Sequence, residues 1–486
     1  MAVTAVLRVL GWACIMFAFC MLVPAGIAII FGEEDTPAIF LISSLLVLTV
    51  GGALTLARIG NHNMSPGRRE AFLLAVLLWT LMPVFAAIPF EASVGPLDAY
   101  FEAMSGLTTT GYSVFATPED LPRSILFWRA ELQWIGGLAT IMLAVVLLGL
   151  FGLGGLAVYR SAIPSGDSSA LISRLKDTLS AVWWVYLILT MVCAVMLWLT
   201  GVKPFHAVCY AMSTISTGGF VTSTNGIAEM PSAARWVLVV FMLGSALNFT
   251  LHWAAFHGRF AVYRHDPEIR AFGRMCGISA LLAVLIVWSA TDLGLGEGME
   301  RAIFAVASVA STTGYLGLPT EGGIIVGMWP TGISVLLLTL MMIGGAAGST
   351  AGGFKLMRFA LLIRQGGAEL TRLAFPNAIT TVTYGGYRVE PSVLRSAWNF
   401  LMLFMLSVAI LAVVIDLAGY DLQTALALAT GALSNAGAAA YYVTVESIAI
   451  ADLAPAPKIG IIIGMLAGRL ELLALLGLFS PSFWGR

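Results

Sequence analysis

Three short stretches rich in glycine and hydroxyl side chains recur at long intervals: TTTGYS at 108–113, STGGF at 216–220 and STTGY at 311–315. A weaker fourth copy, SNAG, covers 434–437. Glycine lets backbone carbonyls face an axis without an intervening side chain. A ring of such carbonyls can replace the hydration shell of a monovalent cation. The four stretches therefore predict a site for a dehydrated cation, provided that they meet in one place.

We assign three residues of each stretch to this predicted site: Thr109, Thr110, Gly111, Ser216, Thr217, Gly218, Thr312, Thr313, Gly314, Asn435, Ala436 and Gly437. The last residue of each triplet is the equivalent glycine, and threonine precedes it in the first three copies (Thr110, Thr217 and Thr313), whose hydroxyls we expect at the same height. Alanine replaces that threonine in the fourth copy, so we expect an asymmetric site. A single copy is more typical of an ordinary turn between helices, and only the fourfold recurrence favours a shared site.

Each glycine stretch follows a short apolar segment, at 97–107, 203–215, 299–310 and 421–433. At a rise of 1.5 Å per residue these segments are too short to cross about 30 Å of hydrocarbon, so they predict re-entrant helices. The C-terminal end of a helix carries about half a negative charge. Four such ends directed at one point would favour a cation and repel an anion.

The composition indicates a membrane protein, because 59% of the 486 residues are hydrophobic and only 10% are charged, against roughly a quarter charged in soluble domains. The net charge of −1 gives no basis for nucleic-acid binding. Ten segments are predicted to cross: 8–31, 37–57, 70–90, 125–157, 179–201, 233–256, 272–293, 328–364 with an interruption, 392–419 and 457–479. Placing both termini inside puts most of the 25 Lys and Arg residues on the inner face, as the positive-inside rule requires.

The predicted fold class is therefore an all-α polytopic membrane protein. Four pseudo-symmetric helix–pore loop–helix repeats surround a central pore, and two extra helices precede them. We divide the chain into an N-terminal helix pair (1–64), repeat 1 (65–160), repeat 2 (161–265), repeat 3 (266–365) and a last region (366–486). The last region holds repeat 4 and an inserted basic loop at 365–391, which we expect on the inner face.

A glycine-rich break at 344–353 interrupts the second helix of repeat 3. Glycine costs roughly 1 kcal/mol relative to alanine in a helix, so this stretch predicts a mobile loop below the cation site, although close packing of helices through small residues is the alternative. The predicted gate comprises Gly344, Gly345, Gly348, Ser349, Thr350, Gly352, Gly353 and Arg469.

Arg469 is the only basic residue that we place deep in an apolar helix, where a charge normally faces a cavity or a partner. The possible acceptors are Glu131 and the loop carbonyls near Gly348, whereas Glu471 is poorly placed on the same helix. A structural ion pair is the alternative to a gating role.

Several motifs in this order resemble the Trk/Ktr/HKT superfamily of potassium transporters, and most closely its bacterial Trk-type membrane subunit. They are FEAMSGLTTTGYS (101–113), WRAELQWIGG (128–137), MSTISTGGF (212–220), ALNFTLHW (246–253), GGAAGSTAGGFKLMR (344–358), LSNAG (433–437) and GRLE (468–471). The resemblance runs essentially from end to end. It implies a homodimer in the bacterial cytoplasmic membrane, with one potassium pathway in each protomer. It also implies that glycine in all four loops accompanies potassium preference and that Arg469 lines the constriction below them.

The same resemblance implies a cytoplasmic partner, a ring of RCK-type subunits that bind NADH or ATP and control opening. This chain has no dinucleotide fingerprint of its own, so we expect no cofactor in it and potassium as its substrate. The expected function is potassium uptake through a gated, selective pore driven by the membrane potential. Proton- or sodium-coupled symport in the same fold and a sodium-permeable variant are the alternatives. We expect no enzyme activity, since the five histidines form no HExxH-type motif.

Overall fold

The computed structural model describes residues 3–57, 68–151, 168–291, 294–317, 320–321, 324–325, 329–378, 380–444 and 448–470. Within this part of the chain nearly all regular structure is helical. The first half contains α1 (Val3–Cys20), α2 (Leu22–Ile30), α3 (Thr36–Leu56), α4 (Arg68–Ala87), α5 (Pro96–Leu107), α6 (Arg123–Phe151), α7 (Ser168–Leu199), α8 (Pro204–Ile215), α9 (Ser232–Ser245), α10 (Phe249–Phe256) and α11 (Ala261–His265).

The second half contains α12 (Pro267–Ala290), α13 (Leu295–Ala310), α14 (Thr331–Ile343), α15 (Leu356–Ala374), α16 (Pro391–Asp416), α17 (Leu422–Leu433), α18 (Gly437–Ala440) and α19 (Pro455–Leu470). Two short antiparallel hairpins complete the described residues: β1 (Thr320–Glu321) with β2 (Ile324–Ile325), and β3 (Thr383–Tyr384) with β4 (Tyr387–Arg388). The all-α fold class predicted from the sequence is confirmed.

Six helices of the described part are long and apolar enough to cross a membrane, and α9 with α10 makes a seventh if that bent pair is one span. Many large apolar side chains on these helices are exposed, among them Trp184, Trp288 and Ile410. Such exposure fits helices that face lipid, since a bilayer makes an apolar outer surface favourable. The predicted count of ten crossings stays a prediction, because residues 471–486 and other stretches lie outside the described part.

The short helices before the glycine stretches agree with the sequence. The structure has α5, α8, α13 and α17 where re-entrant segments were predicted, and each ends one residue before a glycine stretch. Two of them, α5 and α8, begin with proline (Pro96 and Pro204), whose missing N–H costs nothing at that position. Asp421 caps α17 by accepting from the N–H of Thr424 at 3.1 Å.

One predicted crossing, 233–256, is wrong as a continuous helix. The chain bends by 104° between α9 and α10. Asn248 starts the second helix by accepting from the N–H of Thr250 at 3.0 Å. Residues 246–248 of the bend include neither glycine nor proline, and the available signal was the pair Gly244–Ser245 at the end of α9, since Gly/Ser pairs often kink helices. Backbone groups of Ala246 and Phe249 at the bend form hydrogen bonds with the stretch at 344–353.

The prediction of an inserted loop at 365–391 is also wrong for its first part, because residues 365–374 are helical. Helix α15 runs on to Ala374, through Gly366 and Gly367, whose missing side chains face open space. A strongly amphipathic sequence outweighs the roughly 1 kcal/mol cost of each glycine here. After the helix, a tight turn at Gly385 and Gly386, both at positive φ, joins β3 to β4.

Candidate functional site

Each glycine stretch forms a loop with one residue in the left-handed region. The four loops are loop 1 (108–112), loop 2 (216–220), loop 3 (311–315) and loop 4 (434–438). The left-handed residues are Thr109 (φ 52°), Thr217 (φ 53°), Thr312 (φ 59°) and Asn435 (φ 48°). Each lies two residues after the last residue of its re-entrant helix and is at most 1% exposed.

This backbone shape is costly for threonine, because a β-branched residue in the left-handed region is an outlier that costs of the order of 1–3 kcal/mol. This cost arises at the same position in loops 1 to 3, whereas loop 4 has Asn435 there, and asparagine adopts this conformation more readily. Strain of this kind persists where the surrounding structure enforces it, and it is concentrated at functional sites. The repeated conformation also defines which residues of the loops are equivalent.

The equivalence corrects our choice of glycine in loop 2. Two residues after the left-handed position stand Gly111 (φ 86°), Gly219 (φ 83°) and Gly314 (φ 82°). Gly218 instead occupies the position of Thr110, so the predicted triplet of loop 2 is displaced by one residue. Two adjacent glycines made the sequence ambiguous, and the fixed offset from the end of the helix was the signal that could have resolved it.

The displaced triplet also changes the hydroxyl groups at the site. Thr110 and Thr313 each bond to the hydroxyl two residues earlier, at 2.7 Å to Thr108 and 2.8 Å to Ser311. Thr217 instead donates to its neighbouring carbonyl, Ser216 O, at 2.7 Å. The expectation that Thr110, Thr217 and Thr313 present equivalent hydroxyls is therefore wrong for Thr217.

The four loops meet in a closed ring that follows chain order. An ideal Cβ on Gly111 would lie 2.3 Å from Gly218 O in loop 2, and one on Gly219 would lie 2.0 Å from Thr313 O in loop 3. A Cβ on Gly314 would lie 2.6 Å from Ala439 N, directly after loop 4.

Loop 4 closes the ring, because Gly437 N donates to Thr110 O of loop 1 at 2.6 Å. Only glycine permits such close approach of one backbone to the next. The convergence predicted from the sequence is therefore present.

Loop 4 differs from the other three, as the sequence indicated. Gly437 begins the short helix α18, and Ala436 has φ −134° and ψ 44°. The Asn435 side chain donates to Thr110 Oγ1 at 3.1 Å and to Met465 O of α19 at 2.8 Å. Loop 4 is thus tied both to loop 1 and to the helix that carries Arg469.

A buried ion pair stabilises the segments that follow loops 1 and 2. Arg129 Nε lies 2.7 Å from Glu102 Oε1, with 2% and 0% of the two side chains exposed. Glu102 also accepts from Val114 N at 2.9 Å, and Arg129 Nη1 donates to Val221 O at 3.1 Å. The pair thereby links the segments that leave the two loops. Removing one partner of such a pair strands a buried charge, which typically costs about 3–5 kcal/mol.

Sequence reasoning missed this pair, because it treated Arg469 as the only basic residue deep in an apolar helix. Arg129 is equally deep in α6 and 1% exposed. Its position within an apolar helix was the available signal. Gln133, one turn further along α6, was missed as well; its side-chain oxygen accepts from Phe220 N at 3.2 Å.

A cavity of about 160 Å³ opens on one side of the ring. Its lining includes Gly111, Gly219, Gly314 and Ala438, one residue from each loop, together with Arg129. The presence of Gly219 in this lining agrees with the corrected register. The chain segments that leave the loops form the rest of the cavity wall, so the cavity lies on the side away from the ends of the re-entrant helices.

The opposite side of the ring is covered by residues 344–355, which we call the intramembrane loop. Its neck is closed by backbone bonds from Phe354 N to Met342 O at 2.9 Å and from Lys355 N to Ile343 O at 3.0 Å. Gly344 (φ 70°) and Gly353 (φ 82°) face each other across this neck. The break predicted at 344–353 is therefore present, two residues longer than predicted, and it is a compact loop.

The intramembrane loop touches the beginning of loops 2, 3 and 4. Thr350 Oγ1 donates to Ile215 O at 3.1 Å, and Gly352 N donates to Thr312 Oγ1 at 2.8 Å. A Cβ on Gly352 would lie 1.8 Å from Ser434 O. Thr350 and Ala351 are fully buried, and Ser349 is 2% exposed. The loop therefore fills the space directly beneath the ring.

Arg469 completes this cover by joining the intramembrane loop to loop 1. Its Nε donates to Thr108 O at 2.8 Å and its Nη1 to Thr350 O at 3.0 Å, with 7% of the residue exposed. Loop carbonyls are thus its acceptors, whereas Glu131, the other acceptor considered, is not one of the partners found. Glu471 lies outside the described residues. A buried cation at this point would oppose passage of another cation.

Replacement of Gly352 by alanine should loosen the packing of the intramembrane loop against the ring. The new methyl group overlaps Ser434 O, so the intramembrane loop must withdraw from loop 4. Overpacking of this kind costs about 1–3 kcal/mol, which corresponds to an increase of roughly fivefold to a hundredfold in the uncovered population.

Potassium flux into vesicles containing the purified protein measures this effect. Gly367→Ala is the matched control, since the space around that glycine is open. Equal flux in wild type and Gly352→Ala would contradict the idea that the loop blocks passage.

An all-helical apolar chain that encloses a ring of backbone loops, with a cavity on one side and a plug on the other, defines a membrane cation transport protein. Residues 38–271 and 281–485 match the family model of TrkH cation transport proteins. The chain belongs to this family.

Individual relatives cover the whole chain. It is 35% identical over 491 residues to the Trk system potassium uptake protein TrkH of Vibrio parahaemolyticus, with 99% of each chain covered. Identity is 34% over 488 residues to TrkH of Escherichia coli K12 and 32% over 491 residues to TrkG of the same strain, again with 99% coverage. The crystal structure of the potassium transporter TrkH from Vibrio parahaemolyticus superposes with a TM-score of 0.89 at 32% identity and covers 100% of both chains.

Proposed function

We propose that this protein takes up potassium through a pore whose selective site is the ring formed by loops 1 to 4. The closed ring is the observation that carries the proposal. Its four loops approach so closely that glycine is required between them, and backbone carbonyls such as Gly218 O and Thr313 O lie at these contacts. Carbonyl oxygens replace the hydration of an alkali cation and do not suit an anion. The relatives' names, Trk system potassium uptake protein, agree with potassium as the cation.

The re-entrant helices supply the electrostatic part of the site. The C-terminal ends of α5, α8, α13 and α17 all adjoin the ring. Each end is equivalent to about half a negative charge, so their sum offsets the cost of removing the cation's water. Passage would then be driven by the membrane potential, which contributes about 2.3 kcal/mol per charge for each 100 mV.

In this proposal the intramembrane loop and Arg469 form the gate, and the structure represents the occluded arrangement. Opening requires that Thr350 and Gly352 leave loops 2, 3 and 4 and that the bonds of Arg469 break. Obligatory coupling to protons or sodium is not favoured by the comparisons.

The finer assignments are part of the same proposal. We infer a bacterial cytoplasmic membrane, with both termini and the intramembrane loop towards the cytoplasm, because the basic residues are concentrated on that side. We also infer a homodimer and an RCK-type cytoplasmic partner that binds NADH or ATP. The support for both is the resemblance of the whole chain to Trk-type transporters.

Growth rescue tests the proposed function. Expression of the chain in a bacterial strain that lacks its own potassium uptake systems should restore growth in low-potassium medium, with and without a co-expressed regulatory subunit. Arg129→Leu leaves the buried Glu102 carboxylate without its partner and is the inactive control. Membrane insertion of this variant should be checked. No rescue by a correctly inserted wild-type protein, with or without the regulator, would contradict the proposal.

A further inference from the structure

Residues 246–266, which we call the elbow, follow the bend between α9 and α10. Helix α9 has 14 residues and therefore spans about 21 Å of a hydrocarbon layer of about 30 Å. The bend of 104° then turns α10 along the membrane rather than through it. The elbow thus begins within about 9 Å of the boundary on the gate side, the depth at which interfacial amphipathic helices lie.

A buried histidine makes the elbow rigid. His252 is 7% exposed. Its Nε2 donates to Gly244 O, at the end of α9, at 3.0 Å, and its Nδ1 lies 2.5 Å from the hydroxyl of Tyr263 in α11. One side chain therefore joins three consecutive helices, so the elbow should move as a unit.

The outer surface of the elbow combines aromatic and basic side chains. Phe256 and Phe260 are 49% and 68% exposed. Arg259 and Arg264 of the elbow are exposed as well, and so are Arg270 and Arg274 near the start of α12. Basic residues interleaved with aromatic ones at this depth match an anionic membrane surface, because the rings enter the acyl boundary while the guanidinium groups bind headgroup phosphates.

Two acids in this region, Asp266 of the elbow and Glu268 of α12, are fewer than the four arginines and form hydrogen bonds with backbone N–H groups. Asp266 accepts from the backbone N–H groups of Glu268 and Ile269 at 2.8 and 2.9 Å. Glu268 is 8% exposed and accepts from Ala347 N of the intramembrane loop at 2.8 Å. Both carboxylates are therefore directed at backbone N–H groups.

Both ends of the elbow are attached to the intramembrane loop. At the start, Ala346 N donates to Ala246 O at 2.9 Å, and Phe249 N donates to Gly348 O at 3.3 Å. Just beyond its end, Glu268 holds Ala347. Three consecutive residues of the loop are thus bonded to the elbow and the first turn of α12, so displacement of one must displace the other.

We propose that the elbow is a binding surface for anionic phospholipid headgroups, and that lipid bound there stabilises the occluded position of the intramembrane loop. The second part rests on the proposed function, since it concerns the gate of the pore. The bonds from the elbow to the loop exist in the occluded arrangement, so a ligand that fixes the elbow favours that arrangement. A ligand shifts a conformational equilibrium only through such differential binding.

The test uses the full chain in vesicles of phosphatidylcholine with increasing phosphatidylglycerol. Spin-labelled forms of the two lipids report by electron spin resonance which headgroup the protein prefers, independently of transport. The wild type should prefer phosphatidylglycerol, and the double variant Arg259→Gln/Arg264→Gln should lose about fivefold of this preference for each arginine. Arg372→Gln/Arg388→Gln, a matched loss of two exposed arginines, should retain it.

Potassium flux in the same vesicles tests the coupling. Flux through the wild type should fall as phosphatidylglycerol rises, and the elbow variant should lack this fall. Glu268→Ala should keep the lipid preference but lose the dependence of flux on lipid, whereas Glu268→Gln, which retains an acceptor oxygen, should keep both.

The outcomes separate the two proposals. An unchanged lipid preference in the elbow variant would overturn the lipid site and favour a surface for a soluble protein. A lost preference with unchanged lipid dependence of flux would overturn the coupling. Lipid preference without potassium flux in any vesicle would count against the proposed function and leave the lipid site standing.

Discussion

Arg469→Ala should give a protein that conducts potassium with much less control. The substitution removes the two bonds that join the intramembrane loop to loop 1, from Nε to Thr108 O and from Nη1 to Thr350 O. Hydrogen bonds from a charged group contribute about 1.5–3 kcal/mol each. Loss of even one of these bonds raises the open population by roughly tenfold to a hundredfold while the closed form still predominates. Loss of a buried positive charge from the path acts in the same direction.

Vesicle flux, with and without the regulatory subunit, measures this change. The increase should be largest without the activating nucleotide, because only then is the wild type mostly closed. Arg469→Lys keeps a charge but cannot reach both carbonyls in one plane, so it should lie between wild type and alanine. If folded Arg469→Ala showed the flux and regulation of the wild type, Arg469 would have a purely structural role.

Gly219→Ser should reduce potassium preference over sodium as strongly as Gly111→Ser. In both positions φ exceeds 80°, and the added Cβ would meet a carbonyl of the next loop, at 2.0 Å from Thr313 O for Gly219 and 2.3 Å from Gly218 O for Gly111. Either the carbonyl ring expands or the loop refolds, and the fixed spacing of ligands around the ion is lost. We expect the preference to fall by about tenfold or more, which corresponds to about 1.4 kcal/mol.

Gly218→Ser is the matched control, one residue away. Its Cβ would meet the side-chain amide of Gln133, at 2.3 Å from Cδ, and a side chain can yield where a backbone cannot. Competitive uptake of potassium against sodium should therefore rank Gly218→Ser closer to wild type than the other two variants. The opposite ranking would restore our original choice of Gly218 as the equivalent of Gly111.

Local features of the site could be read from the sequence because they depend on short-range physics. The four re-entrant helices follow from apolar segments too short to cross a bilayer. The break near Gly344 follows from five glycines within ten residues, each of which weakens a helix. The prediction that Arg469 bonds to loop carbonyls followed in part from the cost of a buried charge, which requires a polar partner nearby.

What the sequence by itself determined, then, is the class of fold, the position of each glycine loop and the presence of a break below them. Only the tertiary structure decided the order of the loops in the ring, the Glu102–Arg129 pair and the second break at 246–248. The physical reason is that these features depend on contacts between residues distant in the chain, 27 positions apart for Glu102 and Arg129 and about a hundred or more for the contacts between loops and for Ala246 with Ala346. Ala246 leaves its helix because its carbonyl is bonded to Ala346 N, and nothing in its local sequence records that distant partner.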